Sequence, residues 1–156
     1  MALIDVESRA PISVAYMDMN GLKALNDERG HDAGDRGLRM YFEAVASVLT
    51  DDEQAYRIGG DEVLVLLPRC DSRTAAKRLE VACRHLMRES LADNKMTLLS
   101  ISIGIVSEVD ALATPETVRS AADQTQYRAK EESKRESPRP SVIAIAAAEE
   151  LTVIRP

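Results

Sequence analysis

The chain alternates between short apolar runs and longer stretches in which apolar residues recur every three or four positions. Runs of the first kind are typical of buried strands, and patterns of the second kind are typical of amphipathic helices. The predicted strands cover residues 12–17, 56–68, 97–106 and 141–145. The predicted helices cover residues 22–29, 35–49, 73–90 and 115–130. This order predicts an α/β (α+β) fold in which helices flank a central mixed β-sheet.

The apolar run at residues 56–68 is interrupted by Gly59 and Gly60, so it predicts a β-hairpin rather than one strand. Two acidic residues, Asp61 and Glu62, follow the turn, and Asp18 ends the first predicted strand. If that strand lies beside the hairpin, the three carboxylates converge. Carboxylates without His or Cys suit Mg²⁺ or Mn²⁺ better than zinc. Two such ions, about 3.5–4 Å apart, can hold the attacking and leaving oxygens of a phosphoryl transfer.

Composition narrows the class of protein. The 156 residues suit one domain, which we place at residues 1–146, with residues 147–156 as a partly disordered tail. The formal charge of −6 opposes a general affinity for nucleic acid or anionic membranes. No segment approaches the roughly 18 apolar residues of a membrane span. Two cysteines fit a reduced, cytoplasmic protein better than a disulfide framework or a zinc site.

The residues after the first strand fit a nucleoside triphosphate. Residues 19–23 turn into a helix N-terminus, where free backbone N–H groups favour phosphate. The carboxylate of Asp35 can accept hydrogen bonds from the N1–H and amino groups of guanine, and Asn26 can both donate and accept. Because adenine offers no N1–H, an ionised Asp35 favours GTP over ATP.

Four segments, in this order and at this spacing, resemble the GGDEF family of diguanylate cyclases. They are DMNGLKALNDERGHDAGD at Asp18–Asp35, RIGGDEV at Arg57–Val63, SIGIV at Ser102–Val106 and ADQTQYRAK at Ala122–Lys130. The resemblance implies a fold related to the palm of polymerases and to class III nucleotidyl cyclases. It also implies that two GTP molecules, one in each subunit of a homodimer, condense into cyclic di-GMP with Mg²⁺ and release pyrophosphate.

The resemblance assigns a role to each matched position. The implied metal ligands are Asp18, the carbonyl of Met19, Asp61 and Glu62, of which the last two are also the implied catalytic residues. The implied substrate-binding residues are Gly21, Leu22, Lys23, Asn26, Asp35, Leu38, Gly59, Gly60, Lys130 and Lys134. Within this set the loop at residues 21–23 and the two lysines bind phosphate, whereas Asn26, Asp35 and Leu38 form the guanine pocket.

The sequence departs from the family pattern at three places. Val63 replaces the Phe that closes the signature, which we expect to change packing more than chemistry. The eleven residues before the first strand lack the family's usual opening helix pattern, so we expect a weaker guanine pocket. Thr50 and Glu53 stand where the product-inhibition motif has Arg and Asp, which predicts no high-affinity product site there.

Two other functions stay open at this point. The chain is alternatively a degenerate GGDEF module that binds GTP or mediates dimerisation without catalysis. It is otherwise a related cyclase with altered base choice, which Asp35 disfavours. In each case we expect the domain to be fused or coupled to a sensory domain.

Overall fold

The structure is a computed structural model that describes residues 11–108, 114–146 and 151–155. The strands are β1 (Ile12–Asn20), β2 (Gln54–Arg57), β3 (Glu62–Pro68), β4 (Ser100–Glu108), β5 (Ser141–Ile145) and β6 (Leu151–Ile154). The helices are α1 (Leu22–Arg29), α2 (His31–Ala46), α3 (Ser72–Ala92) and α4 (Pro115–Ser133). The strands form one sheet in the order β2-β3-β1-β4-β5-β6. Among the described strands, β4 and β5 are the only neighbours that pair in parallel, so the predicted mixed sheet with flanking helices is confirmed.

The central strand β1 is buried on both faces because helices cover both sides of the sheet. On one face Met17 and Met19 join the main apolar core, which includes Tyr41 of α2 and Leu79 of α3. On the other face Tyr16 packs in a smaller cluster with residues of α4. The alternation of side chains along β1 thus sends successive residues into two different cores.

A glycine in β4 allows α4 to lie directly against the sheet. A Cβ atom at Gly104 would stand 2.6 Å from the carbonyl oxygen of Ala122 and 2.7 Å from Cα of Gln126, both in the backbone of α4. No side chain fits in that space. The helix begins at Pro115 and is capped by Thr114, whose hydroxyl accepts from the N–H of Thr117. Its last turns then reach the end of β1.

Three expectations from the sequence are corrected. Asp18 does not end β1, because the strand continues to Asn20, which is buried among serines of β4 and α4. The second helix begins at His31 and not at residue 35. Gly30, with φ 86°, is both the C-cap of α1 and the N-cap of α2, so the two helices follow each other directly. The segment assigned to a tail contributes strand β6, which pairs antiparallel with β5.

Two further expectations concern the helix before β1 and the lack of a membrane-spanning segment. The opening-helix pattern concerns residues 1–10, which lie outside the described residues. Among the residues that are described, no helix is both long enough and apolar enough to cross a membrane.

Candidate active site

The first predicted strand and the glycine hairpin meet side by side in the sheet. Asp18 of β1 lies opposite Glu62 of β3 on one side and opposite Ser102 of β4 on the other. The backbone N–H of Met19 donates to the carbonyl oxygen of Asp61 at 3.3 Å. Acids from two distant stretches of sequence therefore reach one place, as the sequence predicted.

The carboxylate of Asp18 is buried, and only one of its two oxygens is hydrogen-bonded within the described residues. It is 6% exposed, and its Oδ2 accepts from Nζ of Lys130 at 2.7 Å. Its Oδ1 is buried without a hydrogen-bond partner in the described residues. Burial raises the pKa of Asp18 to about 6, against the opposing hydrogen bond from Lys130 and with a further contribution from the nearby Asp61. Such a site favours a second cation at the unpaired oxygen.

A buried polar network holds the elements beside Asp18 in register. The side-chain amide of Asn20 donates to Oγ of Ser100 at 3.0 Å and to Oγ of Ser133 at 3.2 Å. Its carbonyl oxygen accepts from Oγ of Ser102 at 2.7 Å. These bonds tie β1 to β4 and to the last turn of α4, three residues beyond Lys130. Because each group is buried and paired, the network fixes where Lys130 meets Asp18.

Two cavities open on either side of the Asp18–Lys130 pair. The first, which we call the loop cavity, has a volume of about 410 Å³. It is lined by Met19, Gly21, Leu22, Lys23, Ala24, Asp27, Asp61, Lys130 and Arg139. Gly21 has φ 77°, a left-handed conformation that favours glycine, and it precedes the first turn of α1. The loop cavity thus combines a helix N-terminus, two carboxylates and three cations, which suits a phosphorylated ligand with a metal ion.

The second cavity, which we call the helix cavity, has a volume of about 550 Å³. Its lining residues are Asp18, Glu62, Asp123, Gln124, Gln126, Tyr127, Lys130 and Lys134. The neighbouring acids of the signature are therefore divided, with Asp61 facing the loop cavity and Glu62 facing the helix cavity. Lys130 lines both.

The residues present provide part of a metal site. Within the described ranges, no group of three or more His, Cys, Asp or Glu side chains is arranged to hold a metal ion. Asp61 nonetheless lies close enough to contribute to the raised pKa of Asp18, whose Oδ1 is buried without a hydrogen-bond partner in the described part of the chain. Hard oxygen donors of this kind fit Mg²⁺, which commonly completes its shell with water and substrate phosphates. Asp61 in the loop cavity, with Asp18 close beside it, is consistent with that mode.

The predicted guanine readers do not line either cavity. Asn26 of α1 is half-buried, and its side-chain amide lies against Gly34 of α2, where a Cβ atom would collide with it. Asp35 is exposed on α2, and Leu38 packs against the main core. The turn glycines Gly59 and Gly60 also lie outside both cavities, while their neighbour Asp61 is in the loop cavity. The structure thus gathers the phosphate-side residues more closely than the base-side ones.

Two basic residues at and after the end of α4, Lys134 and Arg139, each line one of the cavities. Lys134 caps α4, lines the helix cavity and pairs with Glu131 at 2.6 Å. Arg139, which we did not predict, lines the loop cavity. It belongs to the charged run at residues 130–139, between the end of α4 and the start of β5. The signal in the sequence was the predicted strand directly after this run, because β5 begins at the edge of the sheet where β1 ends.

A family model described as "Diguanylate cyclase, GGDEF domain" matches residues 2–136 of the chain. The chain therefore belongs to the GGDEF family, and the resemblance seen in its four motifs is confirmed.

Similar proteins are known from structure and from sequence. The GGDEF domain of DgcB from Caulobacter crescentus in complex with c-di-GMP superposes with a TM-score of 0.79 at 21% identity, covering 93% of this chain and 83% of that one. The active GGEEF domain of a diguanylate cyclase from Vibrio cholerae gives 0.77 at 23%, covering 90% and 85%. At these identities the likeness concerns the fold. The uncharacterized protein Rv1354c of Mycobacterium tuberculosis is 29% identical over 121 residues, which are 77% of this chain and 19% of that protein.

Proposed function

We propose that this chain is a diguanylate cyclase that condenses two GTP molecules into cyclic di-GMP. The observation that carries the proposal is the buried Asp18 carboxylate. Its Oδ2 is held by Lys130, which lines the loop cavity together with Asp61 and Gly21, and its Oδ1 has no hydrogen-bond partner among the described residues. A buried carboxylate oxygen without a hydrogen-bond partner is costly unless a ligand completes it. A divalent cation carrying a nucleoside triphosphate would do so.

In this proposal each part of the site has one task. The backbone of residues 21–23 and the ammonium groups of Lys23 and Lys130 bind the triphosphate in the loop cavity, with Arg139 beside them. Asp18 and Asp61, with the carbonyl of Met19, would hold Mg²⁺, which stabilises charge on the phosphates when bound. Glu62 lies on the helix-cavity side, where it contributes to metal binding or catalysis.

The reaction requires two copies of the chain, each with one GTP. The 3′-oxygen of one GTP bonds to the α-phosphorus of the other, and the bond from that phosphorus to the β-phosphate oxygen breaks. Pyrophosphate leaves and the hydroxyl proton passes to solvent. Repetition in the opposite sense closes the ring, so positioning of two subunits supplies much of the rate.

The direct test is product analysis by mass after incubation with GTP, ATP or both, in the presence of Mg²⁺. We expect cyclic di-GMP from GTP, and its loss in Asp61→Asn, which keeps the shape of the side chain and removes its charge. Asp51→Asn is the matched control, because Asp51 is an exposed acid outside both cavities. A mixed or adenine-containing product would instead indicate relaxed base choice.

A second test addresses the dimer. Well below the dissociation constant of the dimer, the rate should rise with the square of the enzyme concentration. A strictly linear dependence through the dissociation range would contradict catalysis across a dimer.

The alternative function is a module that binds GTP, or mediates dimerisation, without catalysis. Two observations favour it: no three metal-binding side chains converge among the described residues, and Asn26, Asp35 and Leu38 lie outside both cavities. Calorimetric binding of GTP with no product at any enzyme concentration would support this alternative. The chain matches only 19% of the length of Rv1354c, which supports a domain that is joined to others in a longer protein, and the sensory nature of such a partner domain stays a prediction.

A further inference from the structure

Arg57, the last residue of β2, holds the glycine turn that precedes the signature acids. Its Nε donates to the carbonyl oxygens of Gly59 and Gly60 at 3.1 Å each, and its Nη2 donates to Gly60 at 2.7 Å. Hydrogen bonds with a charged donor are stronger than neutral ones. The planar guanidinium therefore binds the backbone carbonyls of two successive residues in the turn.

The guanidinium of Arg57 also packs against an aromatic ring. Its central carbon stands 5.0 Å from the ring centroid of Phe42 in α2, within the range of a cation–π contact. Phe42 is half-buried, packs against the main core and lies 5.2 Å, centroid to centroid, from Tyr41. A chain of contacts therefore runs from the core through Phe42 and Arg57 to the turn.

The turn needs such support because glycine constrains the backbone least of all residues. Across it, the N–H of Ile58 donates to the carbonyl of Glu62 at 2.9 Å, which closes the hairpin at its base. The residues between them include Asp61, whose carbonyl receives the N–H of Met19. Movement of the Gly60 carbonyl would shift the next residue, Asp61, relative to Asp18.

We propose that Arg57 is a positioning residue that acts through the Gly59 and Gly60 carbonyls to fix Asp61 beside Asp18, and that Phe42 fixes Arg57. Its effect on turnover rests on the proposed cyclase function, whereas its effect on the turn does not. The arrangement depends on the forked, planar donor. A lysine keeps the charge but cannot supply the same set of bonds.

The experiment compares Arg57→Lys, Arg57→Ala and Phe42→Leu with the wild-type chain. Hydrogen exchange of the Ile58 amide, followed by mass spectrometry over residues 58–62, measures opening of the hairpin without any need for activity. We expect exchange to speed up at least about tenfold in Arg57→Ala, with Arg57→Lys and Phe42→Leu intermediate. In the same variants kcat should fall by at least about tenfold, with KM for GTP changed by less than about threefold.

Arg88→Ala is the matched control, because Arg88 is an exposed arginine of α3 outside both cavities. Urea unfolding shows whether each variant is folded. If Arg57→Ala does not fold, the comparison is made with Arg57→Lys. Unchanged hairpin exchange in both Arg57 variants, or a Lys variant equal to wild type in exchange and kcat, would overturn the positioning role. If the wild-type chain makes no cyclic di-GMP but hairpin exchange is still faster in the Arg57 variants, the cyclase function is refuted and the positioning role of Arg57 is retained.

Discussion

Replacing Gly104 with Ala tests whether α4 is held against the sheet by the absence of one side chain. The added Cβ would stand 2.6 Å from the Ala122 carbonyl and 2.7 Å from Cα of Gln126, and closer still to the N–H of Gln126. These are backbone atoms, so no rotamer change relieves the contact. The Gln126 nitrogen would be only 2.1 Å away, so restoring an ordinary separation of 3.4 Å requires α4 to retreat by about 1.3 Å.

The loss of stability has two sources, the overpacked contact itself and the looser packing of α4 after it moves away from the sheet. Overpacking a core costs about 1–3 kcal/mol, sometimes more, and here the gap would also loosen the packing of Ala122 and of Ala129, which are fully buried. We expect a loss of about 3 kcal/mol, measured as a lower urea midpoint with an unchanged m-value. For a chain of this size that corresponds to a fall in Tm of roughly 6–12 °C. Retreat of α4 should also withdraw Lys130 from Asp18.

The matched control is Gly60→Ala, because a Cβ atom at Gly60 meets nothing within 4 Å. That change should alter the free energy of unfolding by less than about 1 kcal/mol. If Gly104→Ala were as stable as wild type to within about 0.5 kcal/mol, the close approach of α4 to β4 would be wrong, and the site geometry built on it would fail as well.

Three further substitutions test the energetics. Tyr41→Phe removes a buried hydroxyl without a described partner, so stability should stay equal or rise by about 1 kcal/mol, and a loss above about 1 kcal/mol in urea unfolding would contradict this. Glu53→Gln breaks the ion pair with Arg78 and should cost about 1–3 kcal/mol. Since the hydrogen bond from Arg78 lowers the pKa of Glu53, this loss should be present above the ordinary carboxyl pKa and vanish as the pH falls through the lowered value, which unfolding from pH 7 to pH 3 measures. Asp18→Asn should raise metal-free stability at pH 7 by about 2–3 kcal/mol, because burial raises the pKa of Asp18 from 3.8 to about 6. The gain should disappear below about pH 4, and Mg²⁺ should no longer raise the Tm of the variant.

The elements with one dominant local signal could be predicted from the sequence. Helix α1 and strand β5 have the predicted bounds, since Gly30 ends the helix and an unbroken apolar run defines the strand. The hairpin followed from Gly59-Gly60 between two apolar runs. The meeting of Asp18 with the two acids of the hairpin followed from placing β1 beside that hairpin, and the structure pairs Asp18 with Glu62 and bonds its neighbour Met19 to the Asp61 carbonyl.

Features that depend on distant residues could not be predicted. Asn20 looks like a turn residue, yet it is buried because Ser100 and Ser133, 80 and 113 residues away, complete its hydrogen bonds. The strand therefore runs past Asp18. Strand β6 is only four residues long, and pairing with β5 rather than its own pattern defines it. Arg139 reaches the loop cavity by the path of the chain back to the sheet.

The Glu53–Arg78 pair bears on the predicted lack of a product site at Thr50 and Glu53. The Glu53 side chain is 4% exposed, bonds to the backbone N–H of Thr50 and pairs with Arg78 of α3. A ligand at this position would have to break an internal ion pair and leave the Arg78 charge without its partner, which is costly for groups this well covered. The internal partner thus gives a physical reason for weak product binding that the substituted motif alone did not provide. It stays a prediction, and calorimetry with cyclic di-GMP would refute it by finding tight binding that is lost in Glu53→Gln.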